Sequence, residues 1–135
     1  MGQALYPKVR AWFNSLTEAQ QAQLKSAPNP KKIAQRILRM EVNGRFEMHD
    51  WFTPERDRPE LCGSAMCMAG WAMNSAGLTT DPSLDPDRLF TFEDGSGVIN
   101  ELAGAFLLSL NEEEVNIFYS DNDSALRFIK GRWDL

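Results

Sequence analysis

The side chains best suited to covalent chemistry are two cysteines and the single histidine. Cys62 comes two residues before Ser64, a residue type that is common at helix N-termini. A thiol at such a position has a lowered pKa, because free backbone amides and the helix dipole stabilise the thiolate. With His49 as general base and Asp50 orienting it, Cys62 would be the nucleophile of a cysteine-dependent hydrolase or transferase.

The alternative interpretation of the thiols is structural, and we prefer it. Free cysteine is among the most buried residue types, so Cys62 and Cys67 are expected to pack beside the start of a helix. Structural zinc needs four ligands, whereas Cys62, Cys67 and His49 supply three. We therefore expect no metal site and no cofactor. A binding protein is a better expectation than an enzyme.

The charge of the chain is unevenly distributed. Residues 1–58 carry a net charge of +4 and residues 59–135 a net charge of −9, within a total of −5. Lys32, Arg36 and Arg39 have the spacing of one helix face, which predicts a candidate nucleic-acid-binding module. The alternative is a solvated face that complements the acidic half of the same molecule, and the net negative charge favours this alternative.

Candidate contacts for a protein partner lie elsewhere in the chain. The acidic run Glu112, Glu113 and Glu114 is suited to a basic partner. Trp51 and Trp71 are further candidates, because tryptophan is enriched at the centres of interfaces. Core packing is the alternative for both tryptophans, with Trp51 closing over the helix that carries Trp71.

Helical periodicity and capping signals place these residues on elements. Thr17 with Gln20 and Asn111 with Glu114 have the spacing of side-chain caps. The small residues Ala65, Ala69 and Ala72 would let neighbouring helices approach closely. The pattern predicts helices over 7–16, about 18–26, 30 to the Gly44 stop, between Ser64 and Gly77, 98–110, 111–119 and from Asp123 onward. Residues 89–92 read as a short strand that could pair with 46–48, while 79–88 read as a surface loop. We therefore predict a mainly α, orthogonally packed helical domain of about six helices, with a minimal two-stranded ribbon as an option.

The length of 135 residues fits one globular domain, with a basic helical part at 1–43 and the remainder of the fold beyond it. The sequence contains no apolar run of membrane-spanning length and no signal-peptide pattern at its start. A cytoplasmic protein with reduced thiols is the expectation. The oligomeric state is left open.

Two runs of the chain resemble a known family. Phe46–Trp51 followed by Cys62–Ala72 is similar to the F-x-M-x-x-W segment and the C-G-[ST]-x-x-C-x-A-G-[WH]-A helix of a family of small uncharacterised bacteriophage and prophage proteins. The likeness extends over residues 44–130. It implies a phage-linked origin, and it brings no functional residues with it.

Composition and resemblance together predict an accessory protein that binds a host or phage macromolecule. The expected partner is a basic host protein, such as a defence factor or a nucleic-acid-handling factor that the chain would inhibit. The acidic C-terminal half is predicted to present the binding surface. The cysteine-dependent enzyme and the nucleic-acid-binding module are the two alternatives.

Overall fold

The computed structural model describes residues 7–42, 44, 68–80 and 90–135. In these ranges the fold is mainly helical, as the sequence predicts. In chain order the elements are α1 (Pro7–Asn14), α2 (Glu18–Lys25), α3 (Pro30–Val42), α4 (Met68–Ser75), β1 (Thr79–Thr80), β2 (Phe90–Thr91), α5 (Asn100–Leu107), a 3₁₀ helix (Glu114–Tyr119) and α6 (Asn122–Arg132). None of the helices in these ranges has the length and hydropathy of a membrane span.

Side-chain caps start several of the helices. At α2 the Thr17 hydroxyl accepts from the Gln20 amide, and the Gln20 side chain accepts from the Thr17 amide, which completes the predicted capping box. At α3 the Asn29 side chain accepts from the Lys32 amide at 2.9 Å. At α6 the cap is Asp121 and not the predicted Asp123, because the Asp121 carboxylate accepts from the Ser124 amide at 2.8 Å.

Two helices end in the same backbone motif. After α4, Gly77 has a φ of +78°, and the Leu78 amide donates back to the Met73 carbonyl at 3.2 Å. After α5, Ser109 has a φ of 53°, and the Leu110 amide donates to the Ala105 carbonyl at 2.9 Å. The first stop was predicted from the glycine. The second stop, at Ser109, has no glycine and was not predicted. Because it ends the helix early, α5 is shorter than the helix predicted over 98–110.

The centre of the fold is the contact between α4 and α5. The two helices approach closely at Ala69 and Gly104, where a Cβ atom added to Gly104 would lie 2.8 Å from the Ala69 Cβ and 3.0 Å from the Phe118 ring. The small residues predicted to permit close helix packing do so at Ala69. Phe118 belongs to the 3₁₀ helix. Its contact with Gly104 therefore also packs the 3₁₀ helix against α5.

The N-terminal helices pack around this centre. The apolar face of α3, with Ile33 and Ile37, is buried and contacts α4. The α1 helix contacts α5, where the rings of Phe13 and Phe106 stack with centroids 4.4 Å apart. Met73 of α4 is fully buried and therefore fills the core.

The described ribbon differs from the predicted one. Phe90–Thr91 forms a strand as expected, but it pairs antiparallel with Thr79–Thr80, a segment predicted to be loop. The hydroxyls of Thr79 and Thr91 lie 3.0 Å apart, a cross-strand hydrogen bond that a loop assignment overlooks. The 46–48 segment predicted as the partner lies outside the described residues.

The turn after β2 is tied to α2 by glutamine side chains. The Gln20 side-chain amide donates to the Asp94 carboxylate at 3.0 Å and to the Ser96 hydroxyl at 2.8 Å. The Glu93 amide donates to the Gln23 side chain at 3.0 Å. Hydrogen bonds from the Ser96 side chain and backbone lower the pKa of Asp94, and the Gln20 side chain lowers it further.

We expect Gly104→Ala to destabilise the protein by about 1–3 kcal/mol, because the added methyl group overlaps Ala69 in a packed core. Urea unfolding measures the change. Gly131→Ala in α6 is the matched control: a Cβ there meets nothing within 4 Å, so the higher helix propensity of alanine should raise stability by up to about 1 kcal/mol. Equal stabilisation by both variants would contradict the close approach of α4 and α5.

The lowered pKa of Asp94 predicts a pH-dependent contribution to stability. A depressed carboxyl pKa stabilises the fold above the unfolded-state pKa of about 3.9, and this stabilisation disappears as the pH falls through the folded-state value. Asp94→Asn should therefore be less stable than the wild type at pH 7, and the difference should shrink below about pH 4. Urea unfolding at several pH values measures both effects, with Glu93→Gln as the exposed neighbouring control. A difference that does not change with pH would show that ionisation of Asp94 plays no part.

Candidate partner-binding surface

The residues of the predicted cysteine site lie outside the described ranges. These are Cys62, Cys67, His49 and Asp50, and the partner-contact candidate Trp51 lies outside them as well. Within the described residues, no group of three or more histidine, cysteine or acidic side chains is placed to hold a metal ion. The cysteine-dependent reaction stays a prediction.

Trp71 lies in the core. It is 4% exposed, and the Arg36 guanidinium lies over its ring at 5.3 Å from the centroid. Arg36 also donates to the Ser75 hydroxyl at 2.9 Å, which in turn donates to the Trp71 carbonyl at 2.9 Å. The side chains of Trp71 and Arg36 therefore join α3 to α4, and of the two interpretations of Trp71 the structure favours core packing.

The contact of Arg36 with Trp71 and Ser75 separates the three basic residues that the sequence predicts on one side of α3. Lys32 and Arg39 are exposed, which both a binding face and a solvated face would require. Arg36 is half-buried, and its pKa is lowered by burial and by the positive charge of Arg39. The i, i+4, i+7 spacing is present, but its middle member binds within the molecule.

An open hollow of about 410 Å³ lies beside the predicted acidic run. Two apolar side chains line it, Ile117 of the 3₁₀ helix and Phe128 of α6, and we call this pair its apolar floor. Its polar lining residues, which we call its rim, are Glu113, Glu114, Asn116 and Ser120. We call this feature the acidic hollow.

Glu114 holds the acidic hollow in shape. Its carboxylate accepts from the Asn111 amide at 2.9 Å, while the Asn111 side chain accepts from the Glu114 amide at 2.8 Å. The other carboxylate oxygen accepts from Arg132 Nε at 2.9 Å, in an ion pair whose side chains are 26% (Arg132) and 16% (Glu114) exposed. Arg132 Nη2 is also 3.4 Å from the Ser109 carbonyl oxygen. One carboxylate thus joins the 3₁₀ helix to both of its neighbours in the chain.

An aromatic pair involves Phe128 of the apolar floor. The rings of Phe128 and Trp133 meet edge to face with centroids 6.0 Å apart. The Arg132 guanidinium lies over the Trp133 ring at 5.2 Å. The position of Phe128 is therefore fixed by the end of α6.

The three predicted acidic contacts separate into two roles. Glu112 and Glu113 are exposed, and Glu113 stands on the rim of the acidic hollow. The Glu114 carboxylate is bound to the Asn111 amide and to Arg132. Its role in the described structure is therefore to hold the backbone that carries Glu112 and Glu113.

The acidic run could be predicted from the sequence, whereas the apolar floor could not. The Asn111–Glu114 spacing did predict the capping pair at this turn. Ile117 and Phe128 lie 11 positions apart on different elements, and no periodicity joins them. Their proximity depends on the angle between the 3₁₀ helix and α6, which only the structure gives.

Comparison with protein-family models, with curated protein sequences and with solved structures finds no match for this chain. The class that the structure supports is a mainly helical protein with an acidic, apolar-floored surface. The resemblance to phage proteins stays a prediction.

We expect Glu114→Gln to lower the free energy of unfolding by about 1 kcal/mol, because it removes the ion pair with Arg132 while leaving an oxygen to accept from Asn111. Urea unfolding at low and high salt measures the loss, which should shrink as salt screens the charges. Glu113→Gln, on an exposed neighbour, is the matched control and should change stability by less than about 0.5 kcal/mol. If Glu114→Gln is as stable as the wild type, the ion pair does not hold the acidic hollow.

Proposed function

We propose that this protein acts by binding a macromolecular partner at the acidic hollow. The partner is a protein segment that carries lysine or arginine around one or two apolar side chains. The observation that carries the proposal is that the exposed carboxylate of Glu113 and the apolar side chains of Ile117 and Phe128 line one hollow.

The two parts of the acidic hollow supply different contributions to binding. The exposed carboxylate of Glu113 on the rim, together with that of its chain neighbour Glu112, attracts a basic segment and orients it, an effect that acts mainly on the association rate. The half-buried side chains of Ile117 and Phe128 give an apolar anchor a place to lose water, which supplies affinity. A volume of about 410 Å³ suits one or two side chains better than a whole domain.

The surrounding charge favours the same kind of partner. From Asn100 to the C-terminus the chain has seven acidic and three basic residues. One of those basic residues, Arg132, is already paired with Glu114. A basic segment therefore approaches a region of net negative charge, whereas an acidic segment is repelled.

The rigidity of the site supports binding without rearrangement. The Asn111–Glu114 pair and the Arg132 ion pair fix the 3₁₀ helix against α6 before any partner arrives. A preformed site loses less conformational entropy on binding.

A phage accessory role is the setting that the sequence resemblance suggests for this binding. We propose a host defence factor or nucleic-acid-handling factor as the partner. Such factors often carry exposed basic segments, because they contact phosphate.

The experiment measures binding of a labelled synthetic peptide in which lysine and leucine alternate at helical spacing. We expect fluorescence anisotropy to show salt-dependent binding, and amide shifts in NMR spectra to change at 113–120 and at Phe128. Glu112→Lys with Glu113→Lys should weaken binding at least tenfold. Ile117→Ser should also weaken binding, with little change in its salt dependence.

The matched control is Glu18→Lys with Glu93→Lys, which makes the same charge change at exposed sites on α2 and on the turn after β2. It should retain binding within about threefold. If both double variants lose binding equally, the peptide senses only net charge and the proposed site is wrong. Shift changes elsewhere on the surface would have the same meaning.

A further inference from the structure

A second charged surface lies on α2 and α3, and the proposed function does not use it. Residues 25–40 contain five basic residues and no acidic residue, in a chain whose net charge is −5. Lys31, Lys32 and Arg39 of this stretch are exposed. We call these three side chains the basic face.

The geometry of α3 presents the basic face outward on a fixed support. The opposite side of the helix, with Ile33, Ala34 and Ile37, is buried. Lys32 and Arg39 are seven positions apart, which is about 10 Å along the helix axis. Lys25 at the end of α2 lines one hollow together with Asn29 and Pro30 at the start of α3, and its ammonium group lies over the Phe13 ring at 5.5 Å from the centroid.

The basic face has no carboxylate partner in the part of the chain that the structure describes. The ion pair between Arg132 and Glu114 lies on other elements. Arg36 is satisfied by the neutral Ser75 hydroxyl and the Trp71 ring. The intramolecular complement expected for a merely solvated face is therefore not found among the described residues.

The charges of Arg36 and Arg39 on α3 repel each other. Burial lowers the pKa of Arg36, and the positive charge of Arg39 lowers it further. Two like charges kept close by the fold gain from an external anion that approaches both.

We propose that the basic face binds the phosphate backbone of a nucleic acid. Exposed lysine and arginine side chains along one helix match the repeated charge of the backbone, and three of them neutralise about three phosphates. The contacts are to phosphate and not to bases, so the binding is independent of sequence.

An anionic membrane would offer similar charge, and the surface fits it less well. Peripheral membrane helices place large apolar side chains beside their basic ones. Next to the basic face the exposed neighbours on α3 are Gln35 and Glu41, and Val42 is the one large apolar side chain exposed there.

The test is fluorescence anisotropy of a labelled 24-base-pair DNA duplex titrated with the full chain between 25 and 200 mM salt. We expect the logarithm of the binding constant to fall with the logarithm of the salt concentration with a slope of about −3, from about 0.9 per phosphate contacted. Changing Lys31, Lys32 and Arg39 together to Gln should weaken binding at least tenfold at 25 mM salt and bring the slope close to zero. Changing them to Arg, Arg and Lys should retain binding.

The matched control is Lys8→Gln, Arg127→Gln and Lys130→Gln, which removes the same charge from exposed positions on α1 and α6. It should keep the affinity within about threefold and the slope unchanged. The proposal is overturned if the duplex does not bind at 25 mM salt, or if the two triple-Gln variants lose binding equally. It is also overturned if vesicles with anionic lipid bind while the duplex does not. Binding of the lysine–leucine peptide to the basic-face variant should remain intact, which separates this test from that of the proposed function.

Discussion

The rest of the described structure depends on the close approach of Ala69 and Gly104. Because neither position has a side chain larger than a methyl group, α4 and α5 come together without a layer of larger residues between them. The Phe118 ring then reaches Gly104 and places the 3₁₀ helix on α5. On the other side, α4 supports the buried face of α3. Both charged surfaces are therefore mounted on elements that this one contact holds in place.

The two surfaces are stabilised by different kinds of interaction. At the acidic hollow, an ion pair and a reciprocal cap fix the backbone, and two carboxylates remain at the exterior. At α3, apolar burial fixes the helix, and a cation–π contact uses one of its positive charges. In each case one charged residue binds within the molecule so that its neighbours keep a defined position. The residue type alone does not tell whether a charged side chain binds within the molecule or stays exposed.

Local signals in the sequence predicted much of the fold, and tertiary geometry accounts for what they missed. Thr17, Asn29 and Gly77 start or end helices because their effects extend over one turn of backbone, which a sequence pattern can represent. Ser109 ends α5 without glycine, so no such pattern marks it. The β1–β2 pairing and the floor of the acidic hollow join residues from separate elements. The exposed acidic run could be predicted from the sequence. That Glu114 forms an ion pair within the molecule could not, because it depends on where Arg132 lies in the fold.

The ring stack between Phe13 and Phe106 has a consequence for the newly made chain. The two rings are 93 positions apart. At about 5–20 residues per second, α1 waits roughly 5–20 s for α5 to be synthesised. During that interval Val9 and Phe13 lack their final covering from α5. The helix synthesised early is thus among those buried late, and chaperones that hold short apolar segments at the ribosome have their longest opportunity at α1.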